Sequence, residues 1–186
     1  TTAWAKLNPI ARPTPGNHDY KTPGAAGYYS YFGVAPFYAY NIGCGWRAYS
    51  LNSEIDLTRQ IAFVAADIAA HPNKRLVAYW HKPVWSSGRH GDNARFAKLI
   101  AAFGGRLEVA LWGHDHDYER GAAGPLTWFV VGTGGSAEGP MPTTRTTGSQ
   151  VAIDQVSGVL NMTFTRDGWT ARFIDTTGKV RDSAAG

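Results

Sequence analysis

Cysteine is nearly missing from this chain, with Cys44 the only one in 186 residues. A lone cysteine excludes an internal disulfide framework and any cysteine-based zinc site. The expected state is a buried thiol, the other choice being half of a bridge to a segment outside the chain. Charge is sparse as well: Asp, Glu, Lys and Arg make up 17% of the residues, well short of the excess that keeps a chain disordered. The formal charge is +4, yet only Lys74 and Arg75 are adjacent cations. That balance suits a small anionic ligand, whereas a nucleic-acid arm or a membrane patch needs a basic run. No apolar stretch reaches the roughly eighteen residues that span a bilayer, and Thr-Thr-Ala-Trp-Ala-Lys at the start has no leader pattern. Acid is missing from the start too, since none of the fifteen residues before Gly16 is Asp or Glu.

What is present is apolar and glycine-rich. Residues of the apolar and aromatic types make up 44%, with 22 glycines and 10 prolines, which predicts one folded domain over residues 1–186 with many turns. The end of a helix is expected near Trp4 to Leu7. A short strand should then run into Pro15-Gly16-Asn17-His18-Asp19, where the prolines force extended backbone before them. Two short strands are expected at 37–42 and 46–52, around Gly43-Cys44-Gly45. Leu57, Ile61, Val64 and Ile68 recur at helical spacing, so 56–70 reads as a helix that ends at His71-Pro72. Leu76 to Trp80 reads as a buried strand leading into His81-Lys82-Pro83. Asn93 to Phe103 is a second helix, with Asp92 as its expected cap and Gly104-Gly105 as its stop. Leu107 to Trp112 is another buried strand, leading into Gly113-His114-Asp115-His116. A strand at 128–131, a loop from Gly132 to Ser149, and a hairpin of 159–165 and 169–175 complete the reading. The order of elements predicts an α/β sandwich with its polar motifs at the carboxyl edge of a sheet.

Those motifs carry the chemistry. Singly, Asn-His-Asp reads as a turn and His-Lys-Pro as a strand end. His114 and His116 say more, because residues at i and i+2 in extended backbone project to one side. Together, three strand ends supply one amide oxygen (Asn17) and three imidazoles (His81, His114, His116). Donors of this kind suit Fe, Zn, Mn, Co or Ni rather than Ca or Mg. His18 and His90 stand close by in sequence and can bind a phosphate or protonate a leaving oxygen.

Gly16-Asn17-His18-Asp19, Trp80-His81-Lys82-Pro83 and Gly113-His114-Asp115-His116 together resemble the last three motif blocks of the calcineurin-like metallophosphoesterases. The following Asp117-Tyr118-Glu119-Arg120, and Ser86-Ser87-Gly88-Arg89-His90, are similar to the purple acid phosphatase branch and its bacterial relatives. The resemblance covers about residues 9–135. It implies a sandwich of two β-sheets flanked by helices, and two divalent or trivalent transition metal ions such as Fe, Zn or Mn. Asn17, His81 and His114 would ligate one ion and His116 the other. His18 and His90 would bind substrate and assist the leaving group, and Asp19 would orient a histidine. The implied reaction is in-line attack of metal-activated water on a small phosphate ester, most simply a monoester, in an exported (extracellular or periplasmic) enzyme.

The family pattern also has two earlier blocks that carry aspartate ligands, and no aspartate precedes Gly16 here. The chain is therefore expected to be the carboxy-terminal part of such a domain, with a diesterase or nucleotidase, or a non-catalytic binding module, as the alternatives. Other motifs are weaker. Gly132-Thr133-Gly134-Gly135 lacks the lysine and spacing of a phosphate-cradling loop and reads as a turn near a pocket rim. Glu119 stands where a metallo-β-lactamase motif needs histidine, and no G-x-S-x-G elbow exists for a serine hydrolase.

Overall fold

The computed structural model describes residues 3–136 and 140–186. A 3-10 turn at Ala3–Leu7 stands where the end of a helix is expected. Residues 11–16 follow as extended coil, without the strand that the prolines suggested. This segment is fixed by side chains that reach its backbone: Ser50 Oγ and Tyr38 Oη donate to Pro13 O, and Tyr79 Oη donates to Arg12 O. Two more 3-10 turns lead into a short helix, α1 (Ala26–Phe32), which carries the aromatic stretch.

Next come strands β1 (Tyr38–Gly43) and β2 (Trp46–Ser50), helix α2 (Thr58–Ala70) and strand β3 (Arg75–Tyr79). Helix α3 (Ala97–Ala102) follows a 3-10 turn, then strands β4 (Leu107–Trp112), β5 (Tyr118–Ala123), β6 (Leu126–Val131) and β7 (Ser149–Ile153). Strands β8 (Gly158–Phe164), β9 (Trp169–Asp175) and β10 (Val180–Ala185) close the chain. Seven strands form one sheet in the order β1-β2-β3-β4-β6-β5-β7, with β2, β3, β4 and β6 parallel; β10-β9-β8 form a second, antiparallel sheet. This is the expected sandwich.

Alternation along the strands divides the core in two. Leu76 and Ala78 of β3 face the helices with Val64, Leu99 and Phe103, while Val77 and Tyr79 face the small sheet with Trp169 and Phe173. Four tryptophans, Trp80, Trp85, Trp112 and Trp128, pack edge to face or offset on the helix side. Helix α2 is tied to β2 and the segment after it by two side chains: buried Gln60 accepts from the Asn52 amide and donates back to Asn52 O, and Asp67 accepts from Arg47 and Tyr49.

Two expectations are corrected and one is extended. Cys44 is exposed, not buried, because it occupies a turn residue with φ +46° between β1 and β2. The turn before α3 is capped by Asn93, whose side chain accepts from the Arg95 amide. Asp92 is drawn off instead to Ser86 N and Thr146 Oγ1. Finally, the loop foreseen at Gly132–Ser149 stands, but it leads into a strand, β7, that was not foreseen; residues 137–139 lie outside the described residues.

Candidate active site

The parallel strands β3 and β4 end side by side, and their carboxyl ends deliver His81 and Gly113–His116 to one spot. A bond from Gly113 N to His81 O ties the two exits at 3.0 Å. Asn17 comes from elsewhere. It rides a turn beyond the extended segment, and Asp19 closes that turn by accepting the Gly16 amide at 2.8 Å. Glycine at 16 permits this approach, since a Cβ there would stand 3.0 Å from the His81 ring and press on it.

His81 Nε2 lies 2.7 Å from Asn17 Oδ1 and 3.1 Å from His114 Nδ1. One ring nitrogen carries at most one hydrogen, so it cannot serve both neighbours as a donor. The 3.1 Å between the two imidazoles fits an ion, and the 2.7 Å to Asn17 is a hydrogen-bond distance that an ion would widen. Metal–ligand bonds of about 2.1 Å put neighbouring donors roughly 3.0 to 3.4 Å apart, depending on the angle at the metal. Among the described residues no cluster of three His, Cys, Asp or Glu side chains gathers to hold an ion. The convergent set is two imidazoles plus an amide oxygen, all neutral. Burial first, then its neighbour Lys82, lowers the pKa of His81 against the opposing pull of Glu54. Burial and the neighbouring His90 and His81 push that of His114 down to about 4. Both rings are therefore held in the uncharged form that ligates metals.

His114 arrives differently from the way its spacing suggested. Its φ is +70°, and the Asp115 amide bonds back to Gly113 O at 2.9 Å, which makes a γ-turn rather than extended backbone. This is a sparsely populated conformation for a residue with a side chain, and such residues concentrate at functional sites. The turn stacks His114 against His90, with ring centroids 4.1 Å apart and planes 27° from parallel. His116 is half-buried two residues on.

A pocket of about 720 Å³ opens over these groups, lined by Asn17, His18, His81, His90, His114 and His116 among others. All seven expected site residues, Asp19 included, line it. Arg89, to which the sequence reading gave no role, also faces it. A smaller cavity of about 250 Å³ shares His116 and Ser136 and is lined by Thr133 and Gly135, which puts the glycine-rich turn at the rim as expected.

The sequence reading missed the other face of the same stretch. Asp115, Asp117 and Glu119 are buried, and they point toward the segment 86–90. Asp115 Oδ2 accepts from Ser86 Oγ at 2.6 Å, and Oδ1 accepts from the His90 amide at 2.7 Å. Glu119 accepts from Ser87 N at 2.7 Å and from Ser87 Oγ and Ser149 Oγ. Burial, then the Asp115 and Glu119 carboxylates, raises the pKa of Asp117 to about 7. Tyr118 and Arg120 point to the sheet–sheet seam, where both bond Asp182 on β10. The available signal was the strict alternation of acid with other residues from 114 to 120.

Comparison with known proteins agrees with this architecture. A sequence model described as "Calcineurin-like phosphoesterase" matches residues 2–118. A search of curated protein sequences returns no match. Among solved structures, a purple acid phosphatase, PPD1, from yellow lupin (Lupinus luteus) seeds is similar with a TM-score of 0.65 at 20% identity. The similarity covers 80% of this chain and 32% of that one. GAP50, the anchor in the inner membrane complex of Plasmodium, is similar with a TM-score of 0.64 at 13% identity, over 80% of this chain and 52% of that one. At these identities the likeness is one of fold, and the chain spans between a third and about half of either structure.

Proposed function

This chain belongs to the calcineurin-like phosphoesterase family, and we propose that it forms the imidazole side of a metal-dependent phosphoric ester hydrolase acting on phosphomonoesters. One observation carries the reading: Asn17 Oδ1, His81 Nε2 and His114 Nδ1 come from three separate segments and meet within 2.7 and 3.1 Å. These three would hold one ion, and His116, which lines the same pocket, would ligate a second. An ion so held supplies Lewis acidity toward a phosphate oxygen and lowers the pKa of water. Arg89, His18 and His90 line the pocket, where a guanidinium and exposed imidazoles can hold the phosphate oxygens. His90, exposed and stacked on His114, can donate a proton to the departing alkoxide. Action outside the cytoplasm is part of the same reading, and rests on the likeness of the 113–120 motif to the purple acid phosphatase branch.

The neutrality of the three donors favours a second reading, a binding module that takes an ion and an anion without turnover. Calorimetric titration of this chain with Zn²⁺ or Mn²⁺, followed by inorganic phosphate, tests both. One ion is expected per chain, bound weakly because no carboxylate joins the set. His81→Ala and His114→Ala should each weaken it at least about tenfold. Hydrolysis of p-nitrophenyl phosphate above that of its bis ester supports the monoesterase; phosphate binding without hydrolysis favours the module. Ion binding left unchanged by both substitutions overturns the ligand set.

A further inference from the structure

The stretch 114–119 presents two faces, and the carboxylate face has no task in the reaction just proposed. It does have a target. The segment Ser86–His90 leaves regular structure after β3 and brings His90 back over the pocket without help from any strand or helix. Buried carboxylates fix it. Asp115 spans it, one oxygen on the Ser86 hydroxyl and the other on the His90 amide. Glu119, wholly buried, takes the Ser87 amide and hydroxyl, and the Ser87 hydroxyl in turn accepts the Thr146 amide at 2.9 Å. Ser86 Oγ also accepts the Gly88 amide at 2.9 Å. Packing is as close as the bonding: a Cβ at Gly88 would stand 2.4 Å from Asp115 Cγ and 2.6 Å from Asp117 Oδ2.

Buried carboxylates are costly unless such donors satisfy them. Here the donors belong almost entirely to one segment, and one of them is the backbone amide of His90 itself. We infer that Asp115 is a positioning residue that, with Glu119 behind it, clamps Ser86–His90 so that the His90 imidazole is held face to face with His114. The inference rests on the phosphatase reading only for what the held ring does. One short stretch thus sets two histidines at once: His114 through the γ-turn and His90 through the next residue's carboxylate. A departure of His90 by an ångström would remove it from the substrate while leaving Asn17, His81 and His114 in place.

The test uses the whole chain and three variants. Asp115→Ala removes both acceptors, and Asp115→Asn keeps an oxygen for the His90 amide. Gly88→Ala pries the segment off from the other side. Nuclear Overhauser contacts between His90 and His114 ring protons are expected in the wild type and in Asp115→Asn, and lost in Asp115→Ala and Gly88→Ala. The His81–His114 contact and the ring-shifted resonances of the Tyr118–Phe173 stack should persist in all four, which separates loss of position from loss of fold. Turnover of p-nitrophenyl phosphate should fall about tenfold or more in Asp115→Ala at unchanged ion affinity, and recover to within about threefold in Asp115→Asn. A His90–His114 contact that survives in both Asp115→Ala and Gly88→Ala overturns the clamp. A lost contact with turnover unaltered bears out the clamp and overturns the role given to His90. A wild type with the contact and no turnover counts against the phosphatase reading alone, because the ring contact judges the clamp without any reaction.

Discussion

The seam between the two sheets and the pocket at the strand ends are served by the same few residues, 114–120, yet they are built on opposite principles. At the seam every group meets a partner that lowers its energy. Tyr118 stacks on Phe173 with centroids 4.1 Å apart and planes 3° from parallel, and its hydroxyl donates to Asp182 at 2.7 Å. Arg120 completes the cluster with two bonds to the same carboxylate. At the pocket like meets like. Three imidazoles crowd together, a side-chain-bearing residue takes a positive φ, and one ring nitrogen faces two acceptors or donors at once. The seam spends no function to gain stability, and the pocket gives up stability to hold a donor set.

The sharpest way to break this contrast is at Tyr118. Tyr118→Ala removes a fully buried ring and leaves Asp182 short of a donor, so urea unfolding should show a loss of about 3–5 kcal/mol. A loss under about 1 kcal/mol would mean the seam is not where the stability lies.

Asp182 comes next. Burial raises its pKa, but the Arg120 and Tyr118 hydrogen bonds outweigh burial and hold it below the ordinary carboxylate range. A group whose folded pKa is lowered gives its full contribution above its unfolded pKa, about 3.9 for Asp, and loses it as pH falls toward the folded value. Asp67, bonded by Arg47 and Tyr49, and Asp175, bonded by Thr177 and Arg181, are lowered in the same direction. These three carboxylates therefore contribute a decline in stability as pH falls below about 5. Asp182→Asn should cost about 2–3 kcal/mol at pH 7 and flatten that acid decline, read from unfolding midpoints between pH 3 and 7. An unaltered acid limb would remove Asp182 from the seam's balance.

How much of this was legible in the residues follows the same division. The pocket was legible because its chemistry is carried by rare residue types in short blocks: Asn17, His81, His114 and His116 stand out in any context. The parallel strands β3 and β4 were legible too, being short apolar runs bounded by polar motifs. The seam was not. Strand β5 reads Tyr-Glu-Arg-Gly-Ala-Ala, and only pairing with β6 and β7 makes it a strand. Strand β10 is polar on both faces, with no alternation to betray it. The carboxylates at 115, 117 and 119 were given no role beyond their place in the motif blocks, because a buried acid makes sense only once the serine hydroxyls opposite are known. The γ-turn at His114 left no trace in composition either, since glycine was the residue to expect at such a φ.

That last point gives the smallest and most discriminating prediction. His114→Gly removes the imidazole and also frees the backbone, whereas His114→Ala removes the imidazole and keeps a Cβ at φ +70°. Both should lose ion affinity alike, at least about tenfold, because the donor atom is gone in each. Their stabilities should differ. A left-handed φ costs a residue with a Cβ roughly 1 kcal/mol relative to glycine, so the glycine variant should unfold later than the alanine one by about that amount. It should match or slightly exceed the wild type, since the crowding of His90 and His81 against the ring is relieved as well. Equal stability of the two variants would show that the turn at His114 stores no strain, and the pocket would then differ from the seam in its chemistry alone. A gap of the expected size makes His114 the residue at which backbone stability is given up for a ligand, one position before the carboxylate that anchors the opposite face.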